Sequence, residues 1–250
     1  MNKEEQMLQK RLLELSSIAY QRDIVTFSDF LNLNELHILH SIPKNELSTR
    51  YDLFGGYEYA ERQMVAFLPD ALCYEYEYPI DVLRVSAVHR KFAESLTHRD
   101  YLGALLNLGI ERSKIGDLAV TDDSCLIFCH ADMSDFICRE FTRVRHTLIS
   151  VEKMQLSEFH YMPERTEIKG NVSSIRLDSV LSSAFPMSRS KLVGYIEGGK
   201  VFVNGKMITS NGYRLKENDI ISVRGMGRIQ YDSVISETKK GRYFIRLYKY

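Results

Sequence analysis

A cluster of hydroxyl and basic side chains at residues 188–191 has the chemistry to bind an anion. It reads Ser188-Arg189-Ser190-Lys191 and opens a predicted helix, with Ser188 as the N-cap. Basic residues in a first helical turn oppose the helix macrodipole, at a cost of about 0.3–1 kcal/mol each. Free backbone N–H groups, the serine hydroxyls and the two cations would together hold a phosphate there. The alternative is a helix end that is only solvated.

Five more residues extend this candidate phosphate site along the chain. They are Arg176, Lys200, Asn204, Lys206 and Arg214. Asn204-Gly205 suits a type I′ turn, in which both central residues have positive φ, and the resulting hairpin places Lys200 and Lys206 near one edge. The predicted phosphate ligands are therefore these five residues and the four at 188–191.

The distribution of charge favours a polyanionic partner for the same region. The whole chain has 33 Lys+Arg and 33 Asp+Glu, a formal net charge of zero. Residues 171–250 contain 14 of the basic residues and 6 of the acidic ones. The field of such a segment attracts phosphate, and salt screens it from the acidic remainder beyond a Debye length of about 8 Å. We therefore expect the C-terminal third to bind RNA.

Length and hydropathy predict several domains and no membrane span. A chain of 250 residues with 44% hydrophobic composition can build two or three cores of ordinary domain size. We expect an α/β region at 1–75, a second domain at 76–165 and a basic module at 171–250, with a linker between residues 152 and 171. No apolar run reaches the roughly 18–20 residues of a transmembrane helix. The expected compartment is the cytoplasm.

The predicted elements between residues 79 and 151 follow the order β-α-β-β-α-β. This order is typical of a ferredoxin-like sheet with two helices on one face. RNA-recognition motifs (RRMs) share the topology, but they stack bases on aromatic residues of the sheet. The third predicted strand, at 124–130, offers only Phe128 for that purpose. We expect an α+β protein whose central domain is RRM-like in fold without the usual RNA surface.

The N-terminal region is predicted to mix helix and strand. The leucine spacing indicates an amphipathic helix over residues 1–20. Thr26-Phe27-Ser28 is the candidate N-cap of a second helix, which Pro43 stops. Gly55-Gly56 predicts a tight turn between strands, and Arg62 is expected on a solvated face.

The other reactive side chains lack the spacing of a metal or catalytic site. Four cysteines without a CxxC pair are interpreted as core thiols: Cys73, Cys125, Cys129 and Cys138. His37 and His40 have no third ligand at a recognisable spacing and are expected to be surface or half-buried histidines. His98-Arg99-Asp100 resembles a kinase catalytic loop, but the accompanying Asn and glycine-rich loop are missing. We expect no catalytic residue, no metal and no cofactor.

The last predicted strand alternates cations with aromatic residues. Five side chains share one face by the strand period: Arg242, Phe244, Arg246, Tyr248 and Tyr250. Such a face can hold phosphate and stack a base. A plain edge hairpin with solvated arginines fits the pattern equally well.

Five separated elements of the C-terminal third resemble the S4-type (alpha-L) RNA-binding domain. In order they are Arg176-Leu177-Asp178, the turn at 188–191, Gly199-Lys200-Val201, Val203-Asn204-Gly205-Lys206 and Glu217-Asn218-Asp219-Ile220. The family usually has Gly at the position of Asn218, a departure that the turn can accept. The resemblance implies that the residues predicted above to hold phosphate contact RNA.

Two stretches extend the resemblance over most of the chain: GGYEYAER at 55–62 and LTHRDYLGALLNLGIERSKIGDL at 96–118. Ahead of an S4 domain, they resemble the cytosolic RNA-binding protein family of Gram-positive division gene clusters. That likeness implies an RRM-like central domain and binding to the large ribosomal subunit through 23S rRNA and/or tRNA. It also implies a role in rescuing stalled, split ribosomes, alongside a quality-control factor that adds alanine tails.

Two other functions fit part of the sequence. S4-type domains also guide RNA-modifying enzymes, and Arg176-Leu177-Asp178 matches the RLD motif of pseudouridine synthases. However, only 72 residues follow Asp178, too few for that catalytic domain, and no glycine-rich cofactor loop indicates a methyltransferase. A protein-interaction adaptor with an acidic first half is compatible with RNA binding.

Overall fold

A computed structural model of the chain describes residues 3–70, 74–89, 94–156, 163–238 and 241–250. The chain divides into two compact units, residues 1–162 and residues 163–250. Within the described ranges there are six α-helices: α1 Lys3–Arg22, α2 Leu33–Ser41, α3 His98–Asn107, α4 Ala131–Glu140, α5 Leu177–Ala184 and α6 Arg189–Glu197. In the same ranges, no helix is long and apolar enough to cross a membrane.

The strands form three sheets. The first unit contains β1 Thr26–Phe27, β2 Arg50–Phe54 and β3 Met64–Leu68 in the order β1-β3-β2. It also contains β4 Ile80–Ala87, β5 Ile115–Val120, β6 Cys125–His130, β7 Arg143–Val144 and β8 Thr147–Met154. The second unit contains β9 Thr166–Val172, β10 Val201–Val203, β11 Lys206–Met207, β12 Ile220–Val223, β13 Gly227–Glu237 and β14 Tyr243–Lys249.

The central sheet confirms the α+β fold class and the predicted ferredoxin-like topology. Its order is β5-β6-β4-β8-β7, so the first strand of the motif lies between the third and the last. Helices α3 and α4 cover one face, where Leu105 and Ile137 pack with Leu83 and Ile127 of the strands. Apolar alternation along each strand produces this face, because successive side chains point to opposite sides of a sheet.

The opposite face of the central sheet is covered by the N-terminal part of the same unit. Phe30 and Met64 pack there with Val82 and Phe128, all of them buried. The Phe128 ring lies 5.0 Å from the ring of Tyr57, centroid to centroid. In an RNA-recognition motif this helix-free face would stack bases. Phe128, the aromatic residue singled out in the sequence, is therefore a core residue.

A buried guanidinium joins the N-terminal part to the central sheet. Arg62 is only 9% exposed, so the expected solvated position was wrong. Its Nε donates to the carbonyl of Ile115 at 3.0 Å, and its Nη2 donates to the carbonyl of Phe30 at 2.9 Å. Burial lowers the pKa of Arg62, and the nearby carboxylates of Glu35, Asp117 and Glu61 oppose that shift. A buried cation needs such hydrogen bonds, because an unsatisfied one would cost several kcal/mol.

Asp117 completes this joint from the other side. Its carboxylate accepts from the Tyr57 hydroxyl at 2.8 Å and from the backbone N–H of Glu61 and Arg62 at 2.7 and 3.1 Å. The segments 55–62 and 96–118, which carry the family resemblance, thus meet in one hydrogen-bonded contact. In the structure these bonds join the N-terminal part to the central sheet.

The second helix of the chain begins later than predicted. Thr26 and Phe27 form β1, and the N-cap is Asn32, whose side chain accepts from the N–H of Asn34 and Glu35. The Glu35 carboxylate accepts in return from the N–H of Asn32 at 2.6 Å, which completes a capping box. The N–H of Phe30 donates to the carbonyl of Ser113 at 2.9 Å. The N–H groups of Ser28 and Leu31 likewise donate to the carbonyls of Val65 and Gln63, and these long-range bonds keep residues 28–31 out of the helix.

The C-terminal sheet has the order β11-β10-β12-β13-β14-β9. Helices α5 and α6 pack on one face, with Val180 and Leu192 buried against Ile221 and Ile245. β14 lies between β13 and β9 and is not an edge strand. β9 covers residues 166–172, most of which the sequence pattern had placed in the linker.

Gly56 tests the contact between the N-terminal part and the central sheet. It has φ +98°, and a Cβ there would lie 2.4 Å from Cδ1 of Phe128. We expect Gly56→Ala to lower the free energy of unfolding by about 2 kcal/mol or more, because backbone strain and overpacking add. The measurement is urea unfolding of the full chain followed by far-UV circular dichroism.

Gly103→Ala is the matched control. Gly103 lies inside α3, and apart from its chain neighbours and the backbone of its own helix, no described heavy atom lies within 4 Å of the position that a Cβ would take there. Alanine should therefore be neutral or stabilise by up to about 1 kcal/mol. Equal unfolding midpoints for the two variants would contradict the packing described for Gly56.

Candidate nucleic-acid interface

A buried carboxylate organises the basic residues at the start of α5 and α6. Asp178 is 3% exposed and lies in the first turn of α5, after the N-cap Arg176. Its Oδ2 accepts from Nη2 of Arg189 at 2.5 Å and from Nη2 of Arg176 at 3.2 Å. Nε of each arginine also donates to this carboxylate, at 3.2 Å from Arg189 and 3.3 Å from Arg176. We call Arg176, Arg189 and Asp178 the arginine cluster.

The carboxylate of Asp178 is held in its charged form. Desolvation by itself would raise its pKa, but the hydrogen bond and charge of Arg189, the charge of Arg176 and the N–H of Ser179 outweigh it. The pKa of Asp178 is therefore lowered from its ordinary value. At neutral pH the cluster carries two positive charges and one negative charge.

The outer edge of each arginine is available for a further acceptor. A guanidinium has five N–H donors, and here Nε and Nη2 of both arginines face Asp178. Among the described residues, Nη1 of Arg176 and Nη1 of Arg189 make no hydrogen bond. The side chains are 44% and 56% exposed. The carboxylate therefore fixes the two guanidinium groups while part of each remains open to solvent.

Arg214 lies beside this cluster. Its backbone forms an isolated antiparallel bridge with that of Arg176, and the N–H of Leu177 donates to the carbonyl of Tyr213 at 2.9 Å. Paired residues of an antiparallel bridge have their Cα atoms about 4.5–5.5 Å apart. Arg214 is exposed, and its backbone position makes it a neighbour of Arg176 and therefore of the arginine cluster.

The start of α6 confirms Ser188 as the N-cap residue. Its backbone is extended, with φ −62° and ψ 144°, and its side chain makes no capping hydrogen bond. Instead, the Ser188 and Ser190 hydroxyl oxygens are 3.2 Å apart and hydrogen-bonded to each other. Lys191 is exposed on the first turn. The helix end thus presents backbone N–H groups that no side chain of the N-cap occupies.

The hairpin after α6 has the predicted turn, but Asn204 has a structural role in it. Asn204 and Gly205 have φ 48° and 76°, as a type I′ turn requires. The Asn204 amide donates through Nδ2 to Asp219 at 2.8 Å and accepts through Oδ1 from the N–H of Ile220 at 2.9 Å. Both ends of the amide are therefore used within the fold, and RNA contact by Asn204 stays a prediction.

The two lysines of the hairpin are not next to the arginine cluster along the chain. Lys200 follows the C-terminal end of α6, whose nine residues span roughly 13 Å. Its Nζ lies 5.0 Å from the centroid of the Tyr195 ring, a cation–π contact. Lys206 is exposed beside the turn, at the end of β10 away from Lys200. The candidate site is therefore extended along α6 rather than concentrated at one point.

Asp178 is the residue of the site whose role the sequence did not reveal. In the sequence it stands only as part of the Arg-Leu-Asp motif, although a single carboxylate in an otherwise apolar and hydroxyl-rich helix is itself unusual. Its long-range partner, Arg189, lies in a different helix. Asn218, in contrast, behaves as expected: it has φ 69°, a conformation that Asn tolerates better than most residues other than Gly.

Two of the four cysteines are buried, as expected of core thiols, whereas Cys138 is partly exposed. Cys125 and Cys129 are fully buried, and burial raises the pKa of the Cys125 thiol to about 12. His37 and His40 are half-buried. The described residues contain no group of three His, Cys, Asp or Glu side chains that could hold a metal ion. Cys73 lies outside the described residues.

We expect Asp178→Asn to lower the free energy of unfolding by about 1–2 kcal/mol at pH 7, because the charged acceptor of both arginines is removed. Since the folded-state pKa of Asp178 is lowered, its stabilisation is complete above the ordinary pKa of about 4 and is lost as pH falls below it. The difference between wild type and variant should therefore shrink below about pH 4 in urea unfolding experiments.

Asp232→Asn serves as the comparison for Asp178→Asn. Asp232 is in the same unit, its side chain is 26% exposed, and its oxygen lies 3.7 Å from Nη1 of Arg246. Such a pair is worth at most about 0.5–1 kcal/mol. A pH-independent difference for Asp178→Asn, or an equal effect of both substitutions, would contradict the role given to the buried carboxylate.

Two family models match separate segments of the chain. Residues 74–158 match the family model described as "Putative RNA-binding domain in YlmH", and residues 175–221 match the S4 domain. The second match includes the arginine cluster and the hairpin lysines. The S4 resemblance is confirmed.

A solved structure and a curated relative extend the comparison beyond these two segments. The structure of "Cell division protein ylmH from Streptococcus pneumoniae" is 19% identical and has a TM-score of 0.51, over 64% of this chain and 97% of that one. At that identity it supports the fold alone. The "Ribosome-associated protein quality control protein P2" of Bacillus subtilis (strain 168) is 30% identical over 242 residues, which cover 96% of this chain and 93% of the relative. With nearly full coverage of both sequences and both domain matches, the chain belongs to the YlmH family of S4-domain RNA-binding proteins that includes this relative.

Proposed function

We propose that this protein binds structured RNA on the large ribosomal subunit, without catalysing a reaction, as part of the quality control of stalled translation. The proposed ligand is 23S rRNA and/or tRNA, and the compartment is the cytoplasm. The observation that carries the proposal is the arginine cluster, where one buried carboxylate fixes two partly exposed guanidinium groups beside the start of α6.

The geometry of this cluster suits phosphate. Arginine binds phosphate oxygens through parallel N–H donors, and a guanidinium that is already ordered loses less entropy on binding. The adjacent N-terminus of α6 adds backbone N–H groups and the positive end of the helix dipole. Lys191, Lys200, Lys206 and Arg214 extend the positive surface along the helix and hairpin, over a length that can follow several phosphates.

The first unit supports assigning the principal RNA contact to the S4 domain. The helix-free face of its sheet, which RNA-recognition motifs use for stacking, is filled by Phe30, Met64 and Phe128. The matched RNA-binding family domain at 74–158 would therefore need a different surface to contact RNA.

The environment of Asp178 favours a binding role over the alternative of pseudouridine synthesis. A catalytic carboxylate must reach its substrate, whereas Asp178 is 3% exposed and accepts hydrogen bonds from two arginines and Ser179. If purified protein isomerised uridine or transferred a methyl group to RNA, the enzymatic alternative would replace this proposal.

Ribosome association is proposed from sequence similarity to a relative. The Bacillus subtilis relative is named a ribosome-associated quality control protein, and RNA binding by an S4 domain fits that setting. A factor that adds alanine tails to the stalled chain is the proposed protein partner. Residues 1–170 contain more acidic than basic side chains, so the first unit has the opposite charge to the RNA-binding unit. This charge would suit an adaptor that binds a protein partner.

We expect Lys191→Glu combined with Lys206→Glu to abolish co-sedimentation with large ribosomal subunits. Both lysines are exposed, and neither ammonium group contacts any other described residue through a hydrogen bond or ion pair, so the fold should survive. Arg189→Glu would be less informative, because it would also place a second carboxylate beside Asp178. Sucrose-gradient sedimentation with purified subunits is the measurement.

Lys10→Glu combined with Arg139→Glu is the matched control. It makes the same change in net charge at exposed positions of α1 and α4, and it should retain sedimentation with the subunit. For an RNA fragment that binds, the slope of log K against log salt should become shallower by about one for each phosphate that the variant no longer binds. Undiminished sedimentation of the Lys191/Lys206 variant would refute the proposed surface.

A further inference from the structure

The face of the C-terminal sheet opposite α5 and α6 carries a second set of basic and aromatic side chains. Along β14, Ile245 and Leu247 point into the core with the two helices. By strand alternation, Tyr248 and Tyr250 point to the other face. These two tyrosines are partly exposed, in agreement with the shared face predicted from the sequence. This surface is separate from the arginine cluster.

A buried glutamine fixes the geometry of this face. Gln230 of β13 is 6% exposed. Its Oε1 accepts from the Tyr250 hydroxyl at 2.8 Å and from Nη1 of Arg165 at 3.4 Å, and its Nε2 donates to Oδ1 of Asn218 at 3.3 Å. The side chains of Tyr250 and Arg165 are thus ordered by one shared acceptor before any ligand binds.

Each tyrosine is paired with a guanidinium group. Cζ of Arg165 lies 4.1 Å from the centroid of the Tyr248 ring, and Cζ of Arg228 lies 5.2 Å from that of Tyr250. Both distances are within the range of cation–π contacts. Aromatic rings and guanidinium planes are the surfaces on which unpaired bases stack in RNA-binding proteins. The two pairs are two residues apart on a strand, or roughly 7 Å.

We propose that this face binds two successive unpaired nucleotides of an RNA strand, one at the Arg165–Tyr248 pair and one at the Arg228–Tyr250 pair. The bases stack on the rings and guanidinium planes, and the positive charges attract the phosphates. Planar aromatic rings paired with guanidinium groups favour a nucleic acid over an apolar partner. Because α6 lies on the other side of the sheet, the S4 module would hold two RNA segments, one on each face. This inference rests on the proposed RNA-binding function and adds a second surface to it.

The test uses the full chain and a single-stranded hexamer of uridine containing one 2-aminopurine, whose fluorescence falls when it stacks. Wild-type protein should quench it. Tyr248→Leu removes the ring and should weaken binding by roughly tenfold, within the range for loss of a stacked base. Tyr248→Phe should bind as wild type does, because the Tyr248 hydroxyl makes no hydrogen bond to the described residues. Arg165→Met tests the guanidinium separately and should also weaken binding.

The two proposed RNA surfaces can be tested separately. The Lys191→Glu/Lys206→Glu protein should quench the hexamer as wild type does, although it no longer sediments with ribosomal subunits. Lack of quenching by wild type, or equal quenching by Tyr248→Leu and wild type with matching circular dichroism spectra, would overturn the proposal. Displacement of the hexamer by an equal concentration of hexaglutamate would also overturn it, since it would identify a general anion surface.

Discussion

The buried carboxylate of Asp178 is the constraint on which the basic surface of the C-terminal unit depends. A charged group removed from water must be hydrogen-bonded, and Asp178 is satisfied by Arg176, Arg189 and the N–H of Ser179. The same contacts join the starts of α5 and α6. Basic residues that would otherwise be mobile are therefore ordered next to a helix N-terminus, and the cluster retains a net positive charge.

In the first unit, charged groups are also satisfied by hydrogen bonds, but there they hold two parts of the unit together. Arg62 and Asp117 are satisfied through backbone groups of both the N-terminal part and the central sheet. This joint, together with the close approach of Gly56 to Phe128, fills the sheet face that an RNA-recognition motif would use. A topology associated with RNA binding is thus retained while its usual surface is used for packing.

The two units therefore differ in which faces of their sheets are exposed. The central sheet is covered on both faces by its own unit, by helices on one side and by Phe30 and Met64 on the other. The C-terminal sheet is covered by helices on one face, while the partly exposed Tyr248 lies on the other. Excess positive charge also lies in that unit. Exposure and charge therefore coincide in the S4 module, as RNA recognition requires.

The sequence alone determined those features of this protein that depend on interactions between residues close together in the chain. Residue periodicity predicted the β-α-β-β-α-β order of the central domain, and Asn204-Gly205 predicted its turn because a type I′ conformation depends on two adjacent residues. The S4 signature identified the S4 domain and its place in the chain. Tertiary structure decided that Arg62 is buried, that Arg189 is bound to Asp178 and that residues 166–172 pair with β14. In each case the deciding contact joins residues distant in sequence, and desolvation of a charge or completion of a sheet leaves no signal in the local pattern.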